Sequence, residues 1–177
     1  MPAATITLHE MTPLMEHLPR YDTYDSGKRA VSFERDFRRS LGAVLKECGD
    51  HLLEVAELRS QMLSRDQEEI IDLLVDHISA IFRRLDREGH VALNGNREKT
   101  MRELRDLDSQ LLQLAEEALT MARDLDRSTP SETWFRDQAV RLSQDLADLS
   151  RTIEERNYLL GLGWESEFAR LRHGGRS

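Results

Sequence analysis

Cysteine occurs once, at Cys48, so no disulfide forms within the chain. Proline occurs 4 times and glycine 9 times in 177 residues, and aromatic side chains make up only 6%. A β-sandwich or barrel needs turn residues at short intervals and strands rich in aromatic and β-branched side chains, so this scarcity argues against both. No apolar run approaches the ~20 residues of a membrane span. Residues 1–10 lack the basic start and apolar stretch of a signal peptide. Lysine is confined to Lys28, Lys46 and Lys99, while acids outnumber bases by 33 to 25 for a formal charge of −8. Such a chain is repelled by phosphate backbones and anionic lipid, so neither nucleic acid nor a membrane is expected as its partner. A reducing, cytoplasmic location fits the single thiol.

What the sequence does contain is apolar periodicity. Phe37, Leu41, Val44, Cys48, His51, Val55, Leu58 and Met62 recur at alternating spacings of four and three, with Leu45 and Leu52 widening the stripe. This predicts a first helix from Phe33, capped by Ser32, in which Gly42 and Gly49 mark close approach of a neighbour. Residues 64–69 interrupt the ridge. Ser64 and Gln67 form the S-x-x-Q pattern of a capping box, which predicts a tight turn near 64, the alternative being one continuous helix to residue 88. The second helix carries Ile70, Ile71, Leu73, Leu74, Val75, Ile78, Ile81, Phe82 and Leu85 on more than one face, so it is expected to be the most buried. A loop from Gly89 to Asn96 follows, and Asn96 caps a third helix with the ridge Leu104, Leu107, Leu111, Leu114, Ala118, Met121 and Leu125. Thr129-Pro130-Ser131-Glu132 reads as a helix start, with Thr as cap and Pro in the first position. The fourth helix carries Phe135, Ala139, Leu142, Leu146, Leu149, Ile153 and Leu160 before the break at Gly161-Leu162-Gly163.

The fold class expected is all-α: an antiparallel up-down-up-down four-helix bundle over residues 32–160. A partly irregular N-terminal tail (1–31) precedes it, with a short helical turn at Thr12-Pro13 and a loop holding Tyr21 and Tyr24. A short C-terminal helix with a polar end (161–177) follows. The plan resembles that of bacterial helical adaptors and export chaperones in architecture, and no residue motif carries a functional position across.

Chemistry-bearing residues are few. A turn near 64 brings His77 level with His51, and Cys48 lies one turn away on the same face as His51. Cys48, His51 and His77 form a candidate site for zinc or another transition metal, with Glu54 or Asp76 to complete it. The competing reading is core histidines bonded to neighbours. Neither histidine has a base one turn ahead, which argues against a phosphoryl acceptor. Glu69, Asp72 and Asp76 line one side of the second helix and read as a solvated acidic stripe. No Ser/His/Asp set and no glycine-rich phosphate loop is present, so nothing argues for an enzyme. Trp134 and Phe135 open the fourth helix, and Trp164 and Phe168 follow its glycine break. These aromatics are either partner-binding anchors or caps on the two ends of the core. The function expected is a non-enzymatic protein–protein interaction module of the adaptor, chaperone or scaffold kind. It would act through helix packing, as a homodimer, with no cofactor; a bundle holding a metal or small ligand is the alternative.

Overall fold

The computed structural model describes residues 27–86, 91–93 and 95–162. It is all-helical, with α1 (Gly27–Leu58), α2 (Arg65–Leu85), α3 (Arg97–Arg127) and α4 (Ala139–Leu159) packed against one another. Both α1 and α4 contact α2 and α3. No strand occurs among the described residues, and no described helix is long and apolar enough to cross a membrane. The ridges of the sequence meet in the core: Phe37, Leu41, Leu45, Cys48, Leu52 and Val55 of α1 pack with Ile71, Ile78 and Ile81 of α2, Leu111, Ala118 and Leu125 of α3, and Leu142, Leu146 and Leu149 of α4. A smaller cluster of Ala30, Phe33, Val91, Leu104, Leu160 and Leu162 lies at one end.

The helix ends follow local chemistry, with differences from the sequence reading. α1 begins at Gly27, so residues 27–31 belong to the helix rather than the tail, and Ser32 lies inside it. A 3₁₀ turn at Ser60–Met62 separates α1 from α2, which rules out a continuous helix. Ser64 accepts the Gln67 amide while the Gln67 side chain accepts the Ser64 amide, a complete capping box. Asn96 accepts the Lys99 amide at 3.1 Å. Before α4 the cap is Ser131 rather than Thr129: its Oγ accepts the Trp134 amide at 3.2 Å, so the proline stands ahead of the helix instead of inside its first turn. The chain then makes a π turn, Trp134–Gln138, that turns both Trp134 and Phe135 inward.

α2 is not the most buried helix. Only Ile71, Leu74, Ile78, Ile81 and Leu85 are enclosed, and Leu73 is 68% exposed. Its apolar residues outnumber the positions that α1 and α4 cover. Gly42 fulfils its expected role, since a Cβ there would stand 3.3 Å from the Phe82 ring; at Gly49 a Cβ would meet Ile78 at an ordinary 3.9 Å. The Thr12-Pro13 turn, Tyr21, Tyr24 and, from residue 163 on, the segment 161–177 expected to hold a short helix lie outside the described residues.

α4 ends in a Schellman motif: Leu162 N–H donates to Asn157 O (2.8 Å) and Gly161 N–H to Tyr158 O (3.1 Å), with Gly161 at φ +69°. Ala92 N–H donates to Leu160 O at 3.0 Å, tying the 91–93 strap to this end. A Cβ on Gly161 would lie 2.7 Å from Ala92 O. Gly161→Ala is expected to cost about 1–3 kcal/mol by urea unfolding. Gly49→Ala, helical and sterically free, should be neutral or gain up to about 1 kcal/mol in the same assay.

Candidate functional site

The sequence reading missed the charged residues that the packed helices bury. Arg156 on α4 is 2% exposed and Asp108 on α3 is 1% exposed. Arg156 donates through Nε to Asp108 and through a terminal nitrogen to Glu34 of α1, and its guanidinium stacks 4.2 Å above the Phe37 ring. Arg38, one turn after Glu34, donates to it at 2.6 Å, to the carbonyl of Leu85 at 3.1 Å and to Asn157 Oδ1. Two carboxylates and two guanidinium groups therefore share one dry layer, and Arg38 also caps the C-terminal end of α2. Burial alone would raise the Glu34 pKa; the fields of Arg156 and Arg38 and their hydrogen bonds overcome it and hold the group below the usual carboxylate range.

The residues proposed for a metal divide. Cys48 is buried and points its thiol at Ala118 O of α3 (3.7 Å), with its pKa pushed up to about 12 by burial and by the charge of Glu47. His77 is partly buried on α2, and burial and the nearby Arg84 cation push its pKa down. His51 turns to α3, its Nδ1 2.8 Å from Asp126 Oδ2. Cys48, His51 and His77 are thus not gathered into one site. The set whose ligand atoms converge among the described residues is His51, Glu54 and Asp126, all within 4.8 Å of one another. Of these, Glu54 was a sequence candidate for completing the site, and Asp126 was not. The reason is topological: Cys48 and His51 of α1 turn to α3, through Ala118 O and Asp126, rather than to α2. Asp72 and Asp76 are exposed on α2, as a solvated stripe requires.

Trp134 and Phe135 are core residues and not surface anchors. Both are buried, their rings meet edge to face at 5.1 Å, and Trp134 Nε1–H donates to Met121 O of α3 at 3.1 Å. Trp164 and Phe168 lie outside the described residues.

Two surface features remain. The α1 ridge is buried at Phe37, Leu41, Val44, Cys48 and Val55, but Leu58 at its end is 74% exposed and Met62, in the 3₁₀ turn that follows, is 58% exposed. At the other half of α1, a cleft of about 780 Å³ opens between α1 and the end of α2, near the 91–93 strap. No family model matches the chain, and no curated protein or solved structure proves similar to it.

The ionic layer gives stability a sign with pH. Because Glu34 is held below its ordinary value of 4.5, its stabilising contribution is complete above that pH and is lost as pH falls through the lowered value. Acid unfolding followed by circular dichroism should be flatter in Glu34→Gln, which at neutral pH should already be less stable by about 3–5 kcal/mol because Arg156 and Arg38 lose their shared counter-charge.

Proposed function

We propose that the protein is a non-enzymatic helical interaction module of the adaptor or chaperone kind. It acts through helix packing and self-associates as a homodimer. In this reading the four packed helices form an antiparallel up-down-up-down bundle, and the protein works in the reducing cytoplasm, where its one thiol stays free. The observation that supports it is the uncovered end of the α1 ridge. Leu58 closes α1 and Met62 lies in the 3₁₀ turn that follows, and the chain's own helices cover the seam only to Val55. Apolar side chains left uncovered at this turn offer a surface to a further helix, and a second copy presents the same pair to meet it. Covering two such side chains is worth about 1.5–3 kcal/mol each. Light scattering on the full chain should give twice the monomer mass. Leu58→Asp with Met62→Asp should return it to the monomer, with helicity unchanged because neither residue is in the core. A wild-type chain that stays monomeric at high concentration would exclude the dimer.

A second reading places a divalent transition metal at His51, Glu54 and Asp126. The convergence of one imidazole and two carboxylates from α1 and α3 favours it. Zinc takes such ligands at about 2.0–2.2 Å, so the exposed Glu54 needs only a small rotation to reach an ion shared with the other two. The metal would replace the proton between His51 and Asp126, so affinity should rise with pH. Titration calorimetry with zinc should show one site per chain that His51→Ala removes and Cys48→Ala leaves intact. Loss of binding in Cys48→Ala would return the metal to the thiol.

A further inference from the structure

The cleft beside α1 carries a charge opposite to that of the whole chain. Five basic and two acidic side chains line it, in a molecule of formal charge −8. Of the two acids, Glu34 is already bound to Arg156 and Arg38. Of the bases, Arg38 belongs to the buried layer and Lys46 pairs with Asp50. Arg35, Arg39 and Arg83 make no ion pair or hydrogen bond among the described residues. Arg35 and Arg39 stand one turn apart on α1, and Arg83 faces them from α2, so unpaired guanidinium groups rim both walls. Between them the surface is apolar, made by Val31, Phe82, Val91 and Leu162, and Gly42 leaves room that any larger residue would fill.

We infer that this cleft is a docking groove for an acidic amphipathic segment of a partner protein, one that lays aliphatic or aromatic side chains on the floor and Asp or Glu carboxylates against Arg35, Arg39 and Arg83. Charge complementarity selects the occupant: planar guanidinium groups take carboxylates in paired hydrogen bonds, and a basic rim in an acidic protein steers anionic segments to this face. The cleft's length selects a peptide over a small anion. Its α1 wall runs from Val31 to Lys46, about 22 Å at 1.5 Å per residue, with its unpaired cations on separate walls.

The test is selection of a randomised library of about 16-residue peptides, long enough to span the wall even when helical, on the full chain, followed by fluorescence anisotropy of the consensus peptide. Enrichment of Asp and Glu interleaved with apolar residues is expected. Affinity should fall by about tenfold or more in Arg35→Glu/Arg39→Glu/Arg83→Glu, and should weaken as salt rises. All three residues are exposed, so circular dichroism should show the variant folded. Selection without acidic enrichment, or equal binding by the variant, overturns the inference. So does competition by N-acetylglutamate at the peptide's own concentration, which would mark a small-anion site. Peptide capture only by a chain ending at Leu162 overturns it in favour of residues 163–177 as the occupant. Dimerisation is read separately by light scattering, so failure here leaves the α1 ridge reading standing.

Discussion

Glu34, Arg38, Asp108 and Arg156 fix how the packed helices stand against one another. In α1, α3 and α4 these charges fall between the two apolar clusters. Phe33, Leu104 and Leu160 lie on one side, and Phe37, Leu111 and Ile153 on the other. Charges buried this deeply are tolerated only when matched, and here two acids answer two guanidinium groups within one layer. A slip of one turn by α1, α3 or α4 would leave a carboxylate or a guanidinium facing hydrocarbon, at a cost of several kcal/mol. Apolar ridges alone lack that discrimination, because leucine accepts leucine one turn along almost equally well. The layer contributes less to stability than to choosing one packing from several.

The same layer shapes the surface. Arg38 and Asn157 direct polar groups at the last carbonyls of α2, which ends the helix at the level of Arg38 while α1 continues another turn and more. The overhang of α1 past α2 is what leaves a cleft there, and the strap tied to Leu160 closes its far side. At the opposite end α1 passes Val55 without a covering neighbour, and the ridge emerges into solvent. The cleft therefore arises from a mismatch in length: α1 has 32 residues and α2 has 21.

Much of this architecture is legible in the residue order, and the failures have a common cause. Helix class, the Ser64 capping box, the Asn96 cap and the glycine stop at 161 each depend on neighbours in sequence, and each is present. Tertiary choices were not accessible in the same way. On α3 hydrophobicity picks Leu107 for the core, but the structure buries Asp108 and leaves Leu107 half exposed, because Arg156 requires the carboxylate. A signal existed: Glu34 and Arg38 continue the stripe Leu41, Leu45, Cys48 backwards at four-three spacing, and Arg156 occupies the next seam position after Ile153. Charged residues standing at seam positions near one end of several helices imply a shared layer, whereas a reading that counts only apolar residues steps over them. The metal candidates failed for a related reason. Periodicity gives the face of a helix but not which neighbour it meets, and the face of Cys48 and His51 meets α3.

The two surfaces of α1 differ in the physics that would hold a partner. Leu58 and Met62 offer apolar area and no charge, so contacts there gain from burial and are nearly indifferent to salt. Arg35 and Arg39 offer guanidinium groups above an apolar floor, so contacts there gain their selectivity from charge and lose it as ions screen them. Arg39 and Leu58 stand 19 residues apart on one straight helix, about 28 Å by the helical rise, well beyond the range over which substitutions couple directly. A homodimer formed through the ridge would therefore leave both clefts open and carry two copies of the acidic-segment site on one body. Paired weak sites on a rigid scaffold bind a bivalent partner far more tightly than either alone when the spacing fits. The proposed self-association and partner capture are thus compatible on this fold, and the first would strengthen the second without any contact between the two surfaces.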